Sequence, residues 1–181
     1  MIYMFLAEGF EETEALAPLD LLRRAGLEVV TVGVGGKNVV GAHGIPVLAD
    51  IADKELDIGA CPIEAVILPG GMPGTLNLDA SEKVHMAVDA AVGSGAIIAA
   101  ICAAPLILGQ KGLLSGKEAI CYPGFEDKLK GARISEKKVV RDGNVITAKG
   151  MGAAVEFGLE LISALQDPEA ADKIKSAIMA D

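Results

Sequence analysis

The stretch Gly95-Ala-Ile-Ile-Ala-Ala-Ile-Cys-Ala-Ala-Pro105 constrains the chain most. Ala96 to Ile101 is a continuous apolar run. Such a run predicts a strand buried on both faces, as in a parallel sheet. Ala103, Ala104, Pro105, Leu106, Ile107 and Leu108 then read as a helix, with Pro105 in the first turn, where its missing N–H costs nothing. Cys102 therefore stands where a strand turns sharply into a helix. Its flanks have the small-x-nucleophile-x-small layout of a nucleophile elbow, with alanines in place of glycines. A thiol there faces unpaired backbone N–H groups and the positive end of a helix dipole, which predicts a lowered pKa. The Ala103 N–H would face the same space as the sulfur, as an oxyanion donor does. A buried free cysteine acting only as a small hydrophobe is the alternative reading of this stretch.

Two further apolar runs, Ile2 to Ala7 and Glu64 to Leu68, predict companion strands. Between them, Leu27 to Val32 reads as a strand, Val39 to Leu48 as a hairpin and Asp53 to Ile58 as a short helix. Gly33-Val-Gly-Gly36 lacks the dinucleotide-binding spacing and reads as a turn. Leu16, Leu19, Leu22 and Arg23 recur at helical spacing, and Gly26 fits a C-cap. Glu11, Glu12 and Glu14 thus fall where the first strand meets the first helix. Acidic residues suit that end of a helix on electrostatic grounds alone. Pro69-Gly-Gly-Met-Pro-Gly74 follows the Glu64 to Leu68 strand, where open α/β folds build their sites, and its glycines let the backbone approach a ligand closely. Ser81 caps a further helix that carries His85. Gly116 to Tyr122 reads as a strand, Val139 to Thr147 as a hairpin around Asp142-Gly143, Ala153 to Leu165 as an amphipathic helix, and Pro168 to Met179 as a last helix. Alternating strands and helices over residues 1–181 imply one α/β domain with a largely parallel sheet.

Composition narrows the partners. Aromatic residues make up only 3% of the chain and Trp is absent, which disfavours stacking on single-stranded nucleic acid. A formal net charge of −9 repels phosphate backbones and anionic membranes, so neither is expected as a partner. No apolar stretch approaches the ~20 residues that span a bilayer. The first residues read as a strand and not as a leader, so a cytoplasmic location is expected. Cys61, Cys102 and Cys121 are odd in number and widely spaced, which predicts reduced thiols and neither a disulfide scaffold nor a structural metal.

Glu11-Glu12-Thr13-Glu14, Leu22-Arg23-Arg24-Ala25-Gly26, Leu68-Pro69-Gly70-Gly71, Ala99-Ala100-Ile101-Cys102-Ala103 and Gly150-Met151-Gly152 together resemble the ThiJ/PfpI superfamily. The resemblance covers essentially the whole chain and is nearest to the branch of the Parkinsonism-associated deglycase and its bacterial relatives. It implies a flavodoxin-like three-layer α/β sandwich related to class I glutamine amidotransferases, and a homodimer. It implies Cys102 as nucleophile, Glu14 as its acidic partner, and the backbone N–H groups of Gly71 and Ala103 as oxyanion donors. Gly150 and Gly152 match a glycine loop near the pocket. His43 aligns loosely with a basic residue that lines the partner subunit's pocket in some relatives. Tyr122 stands where several members have a His; a Tyr with its ordinary pKa near ~10 is a poor base at neutral pH. A cysteine protease is therefore not expected.

The activity implied is a cysteine-dependent glyoxalase or deglycase acting on small reactive carbonyls or their protein adducts, with no metal or organic cofactor. The alternative is an oxidative-stress sensor or chaperone in which the same thiol is oxidised. The two differ in whether Cys102 supports turnover.

Overall fold

A computed structural model describes residues 1–180. Along the chain lie β1 (Ile2–Leu6), α1 (Glu12–Arg24), β2 (Val29–Gly33), β3 (Asn38–Val40), β4 (Pro46–Leu48) and β5 (Ile51–Ala52). Then come β6 (Ala65–Leu68), α2 (Gly74–Asp79), α3 (Glu82–Ser94), β7 (Ile97–Ile101) and α4 (Pro105–Gln110). The remainder is β8 (Glu118–Ala119), β9 (Arg133–Ile134), β10 (Val139–Asp142), β11 (Val145–Ala148), α5 (Ala154–Leu165) and α6 (Pro168–Ala177).

The three apolar runs become β1, β6 and β7, adjacent in a seven-stranded sheet of order β10-β11-β7-β6-β1-β2-β5. Every neighbouring pair is parallel except β10 with β11. Alternation along a strand sends successive side chains to opposite faces. Tyr3 and Phe5 of β1 accordingly join one apolar cluster, with Val84, Val88 and Leu106 of α3 and α4. Ile2, Met4 and Leu6 join the other, with Leu22 of α1 and Phe157 and Leu161 of α5. Both faces are covered, which is why these strands are apolar without a break. Burying each such side chain stabilises the fold by roughly 1.5–3 kcal/mol. The result is the α/β three-layer sandwich.

Two glycines and a serine show why the helices sit where they do. A Cβ on Gly158 of α5 would come within 3.0 Å of the Pro18 Cα, so this glycine sets how closely α5 approaches α1. Ser81 accepts a hydrogen bond from the Val84 N–H at 3.4 Å and caps α3, whose C-cap Gly95 takes the left-handed φ of 71°.

Several local expectations are corrected. The Asp53 to Ile58 segment holds only a 3₁₀ turn, Asp53–Glu55. The strand expected over Gly116 to Tyr122 shrinks to β8, which pairs with β9 apart from the main sheet. The helix α2 emerges from the glycine- and proline-dense loop; at six residues it is too short to show a helical period. The helix after the elbow begins at Pro105 and is also only six residues long.

The neighbours of β1 lie on opposite sides, β2 on one and β6 on the other. This reversal of strand order is the switch point at which open α/β sheets form their crevice, outside the carboxyl ends of the strands. The segments that leave β1, β6 and β7 there carry Glu14, Gly70 and Cys102.

Candidate active site

Cys102 follows the last residue of β7 with φ 64°, a left-handed conformation that non-glycine residues rarely adopt. Such a position costs about 1–3 kcal/mol and persists only where its surroundings hold it. They do so from both sides. The Cys102 N–H donates to the Ala148 carbonyl at 2.9 Å, and the Cys102 carbonyl accepts from the Tyr122 N–H at 2.7 Å. The elbow read from the flanking alanines is therefore present.

Glu14 lies in the first turns of α1 and is 1% exposed. Its Oε2 accepts from the Gly70 N–H at 3.0 Å. The carboxyl also bonds with the Cys102 side chain and the Met151 backbone N–H. The Glu11 N–H donates to the Gly70 carbonyl at 2.9 Å, so the start of α1 and the loop after β6 clasp each other. Gly70 has no room for a side chain: a Cβ there would lie 2.5 Å from the Cys102 Cβ and would also strike Glu14 Oε2. Gly71 follows with φ 91°. That turn aims its N–H at the Cys102 sulfur, which also receives the Ala103 N–H.

The lowered thiol pKa expected at the elbow is corrected. Burial, then the charge and hydrogen bond of Glu14, push the Cys102 thiol up to about 12, outweighing the Gly71 and Ala103 N–H groups. Burial likewise pushes the Glu14 carboxyl up to about 7. Two such close groups titrate as a pair. Below the first ionisation both hold a proton and the sulfur is an inert thiol. Above it Glu14 carries the negative charge and Cys102 keeps its proton, hydrogen-bonded to the carboxylate. The ionised Glu14 carboxylate can then take the thiol proton as the sulfur attacks an electrophile, acting as its general base. The rate of Cys102 alkylation by iodoacetamide is therefore expected to rise with pH through about 7 and then level off. A rate that climbs tenfold per pH unit well past 8, as for an ordinary thiol, would contradict this pairing.

Tyr122 is half-exposed, and its Cδ2 lies 3.3 Å from where a Gly150 Cβ would stand. Tyr122, Gly150 and Gly152 line a cleft of about 410 Å³ beside the pair. His43 does not reach it. The His43 ring sits at the tip of the β3–β4 hairpin, with Nδ1 2.9 Å from Glu12 Oε2. Glu12 is also no simple helix-end charge, since it is 5% exposed and accepts from the N–H groups of His43 and Ile45. Burial opposes its charge, yet these bonds hold its carboxyl below the ordinary range. Glu11, Glu12 and His43 offer three ligand-type atoms within 4.8 Å of one another, although those of Glu12 already have these partners. His85 bonds to the Asp79 carbonyl and plays no part in the site. Two site residues escaped sequence reasoning: Gly70 and Met151, whose backbone N–H groups hold Glu14. Their only signal was a position in glycine-containing loops after strands.

Known proteins are similar to this chain in sequence and fold. The profile of the DJ-1/PfpI family matches residues 1–164. The Parkinson disease protein 7 homolog of Danio rerio is 35% identical over 179 residues, spanning 97% of this chain and 95% of that protein. The glutathione-independent glyoxalase DJR-1.2 of Caenorhabditis elegans is 34% identical over 164 residues, spanning 90% and 86%. Among solved structures, a DJ-1 superfamily protein of Salmonella typhimurium, crystallised as a cysteine-to-alanine mutant, superposes with a TM-score of 0.92 at 34% identity, covering 99% of this chain and 98% of that one. Drosophila melanogaster DJ-1beta gives a TM-score of 0.92 at 32% identity, with 99% and 97% covered.

Proposed function

The chain belongs to the DJ-1/PfpI family, and from that premise we propose that it is a cysteine-dependent enzyme of the glyoxalase and deglycase type, acting on small reactive carbonyls or their protein adducts. The observation that carries this reading is the buried Glu14 carboxyl bonded to the Cys102 thiol, with its proton affinity raised to about 7. A proton carrier with a pKa near neutrality, beside a nucleophile, is what the chemistry needs.

With methylglyoxal the steps follow from the shared proton. The Cys102 sulfur adds to the aldehyde carbon, and Glu14 gives its proton to the resulting alkoxide, forming a hemithioacetal. Glu14, now ionised, removes the hydrogen from that same carbon, leaving an enediolate. It returns this proton to the neighbouring carbon, while the hydroxyl proton passes to the second oxygen. The product is a thioester of lactate. Water then cleaves it, releasing lactate and restoring the thiol. The Gly71 and Ala103 N–H groups, which face the sulfur at rest, lie where negative charge develops on the adjacent oxygen. Every proton is carried by Glu14 or water, so the scheme calls on no metal or organic cofactor. Run on an adduct already joined to an amine or thiol, the same steps amount to deglycation.

The family resemblance implies a homodimer as the working unit. Similarity to DJR-1.2 of Caenorhabditis elegans, a glutathione-independent glyoxalase, supports the carbonyl chemistry. The test is to incubate purified protein with methylglyoxal in amine-free buffer, without glutathione, and follow product. Stoichiometric lactate is the expected result. Loss of methylglyoxal without lactate would overturn the reading.

A further inference from the structure

We propose that the cleft beside the Cys102–Glu14 pair binds the anionic tail of the substrate, so that the preferred substrates are 2-oxoaldehydes bearing a carboxylate. The inference rests on the carbonyl chemistry above and names its substrate class.

The cleft of about 410 Å³ is tied to the reacting pair at two points. Tyr122 in its wall donates its N–H to the Cys102 carbonyl at 2.7 Å. Gly150 in its floor has its Cβ position 3.9 Å from Glu14 Oε1. Tyr122 and Gly150 thus join the cleft to the reacting pair. The missing side chains of Gly150 and Gly152 leave the way open, while Tyr122 and Met151 offer apolar surface.

Among the described residues, the only charged ones lining the cleft are Lys138 and Lys149. The two are coupled through the Lys149 N–H, which donates to the Lys138 carbonyl at 2.9 Å. Lys138 is partly neutralised, with Nζ 3.0 Å from Glu156 Oε1. Lys149 makes no ion pair among the described residues. In a chain of net charge −9, a cleft lined by two lysines and, among the described residues, by no Asp or Glu forms a local exception to the surrounding field. Glu11, which does not line the cleft, helps raise the Glu14 pKa through its charge and would repel an anion. An anionic tail is therefore favoured in the cleft, beside Lys149.

A suitable probe is 4,5-dioxopentanoate, an aldehyde and ketone followed by two methylenes and a carboxylate. The same steps convert it, with one water, into 2-hydroxyglutarate. Methylglyoxal is the uncharged comparison. Wild type is expected to favour 4,5-dioxopentanoate in kcat/KM, and Lys149→Gln to lower the ratio of the two kcat/KM values by about tenfold, the loss expected when a charge-assisted hydrogen bond is removed. Lys149→Arg is expected to restore most of the ratio. An unchanged ratio in Lys149→Gln would overturn the proposal.

A second readout does not depend on turnover. 2-Hydroxyglutarate is expected to protect Cys102 from iodoacetamide in wild type at concentrations where lactate does not, with the protection weakened in Lys149→Gln. Equal protection of both proteins would also overturn the proposal. If neither dicarbonyl is turned over while this charge-dependent protection holds, the catalytic reading has failed and the anion-binding cleft stands.

Discussion

Replacing Glu14 with Gln is expected to lower the turnover of methylglyoxal by about 10²–10⁴-fold, the usual worth of a positioned general acid–base. The substitution keeps the size of the side chain and an oxygen to accept the Gly70 N–H, which now bonds Glu14 Oε2 at 3.0 Å. What it removes is the capacity to take up and return a proton. Three transfers in the scheme use that capacity: to the first alkoxide, from the aldehyde carbon, and to its neighbour. The loss should therefore fall on kcat, with Cys102 still open to alkylation. The pH profile should change with it. In wild type the first ionisation of the pair lies near 7 because burial disfavours the Glu14 carboxylate. In Glu14→Gln the inflection at that pH should vanish, leaving only the titration of the thiol. Retained turnover with an unchanged profile would show that Glu14 carries no proton in the reaction.

Gly70→Ala is expected to disable the site by geometry alone. The added Cβ would stand 2.5 Å from the Cys102 Cβ and 2.9 Å from the Ile101 carbonyl oxygen, while also striking Glu14 Oε2. Two of these neighbours are the reacting pair, and the third is backbone that cannot rotate away. Relief must come from moving the loop after β6 away from β7, which lengthens the Gly70–Glu14 bond and withdraws the Gly71 N–H from the sulfur. A misplacement of about 1 Å in such a site costs about 10²-fold in rate. Crowding a packed position destabilises a fold by about 1–3 kcal/mol. Thermal unfolding together with kcat/KM would read both effects. Wild-type values for both would show that the loop has slack that the packing does not reveal.

The contrast between these two residues shows what could be read from sequence. Cys102 stood out because its signal is local: an apolar run, a small-residue flank and a proline lie within eleven consecutive residues. β1, β6 and β7 were equally legible, since burial on both faces leaves an unbroken apolar run. Glu14 could be placed at the start of a helix, but only the family resemblance separated it from Glu11 and Glu12. What distinguishes the three is burial against residues far along the chain: Gly70 for Glu14, and His43 and Ile45 for Glu12. Those contacts span 56, 31 and 33 residues, distances over which periodicity carries no information. The thiol pKa was misread for the same reason. The donors at the elbow are local and legible, whereas the desolvation and the charge of Glu14 that outweigh them come from other elements of the fold. Short elements such as α2 and β5 escaped because two to six residues cannot display a period.

The central claim, that the Cys102–Glu14 pair turns over reactive carbonyls, is tested most directly by following lactate formed from methylglyoxal by wild type and Cys102→Ser side by side in amine-free buffer. The pair predicts steady lactate from wild type and none above the buffer blank from Cys102→Ser, because a serine hydroxyl beside a carboxyl of pKa about 7 is not ionised near neutrality. Equal lactate from the two proteins would contradict it.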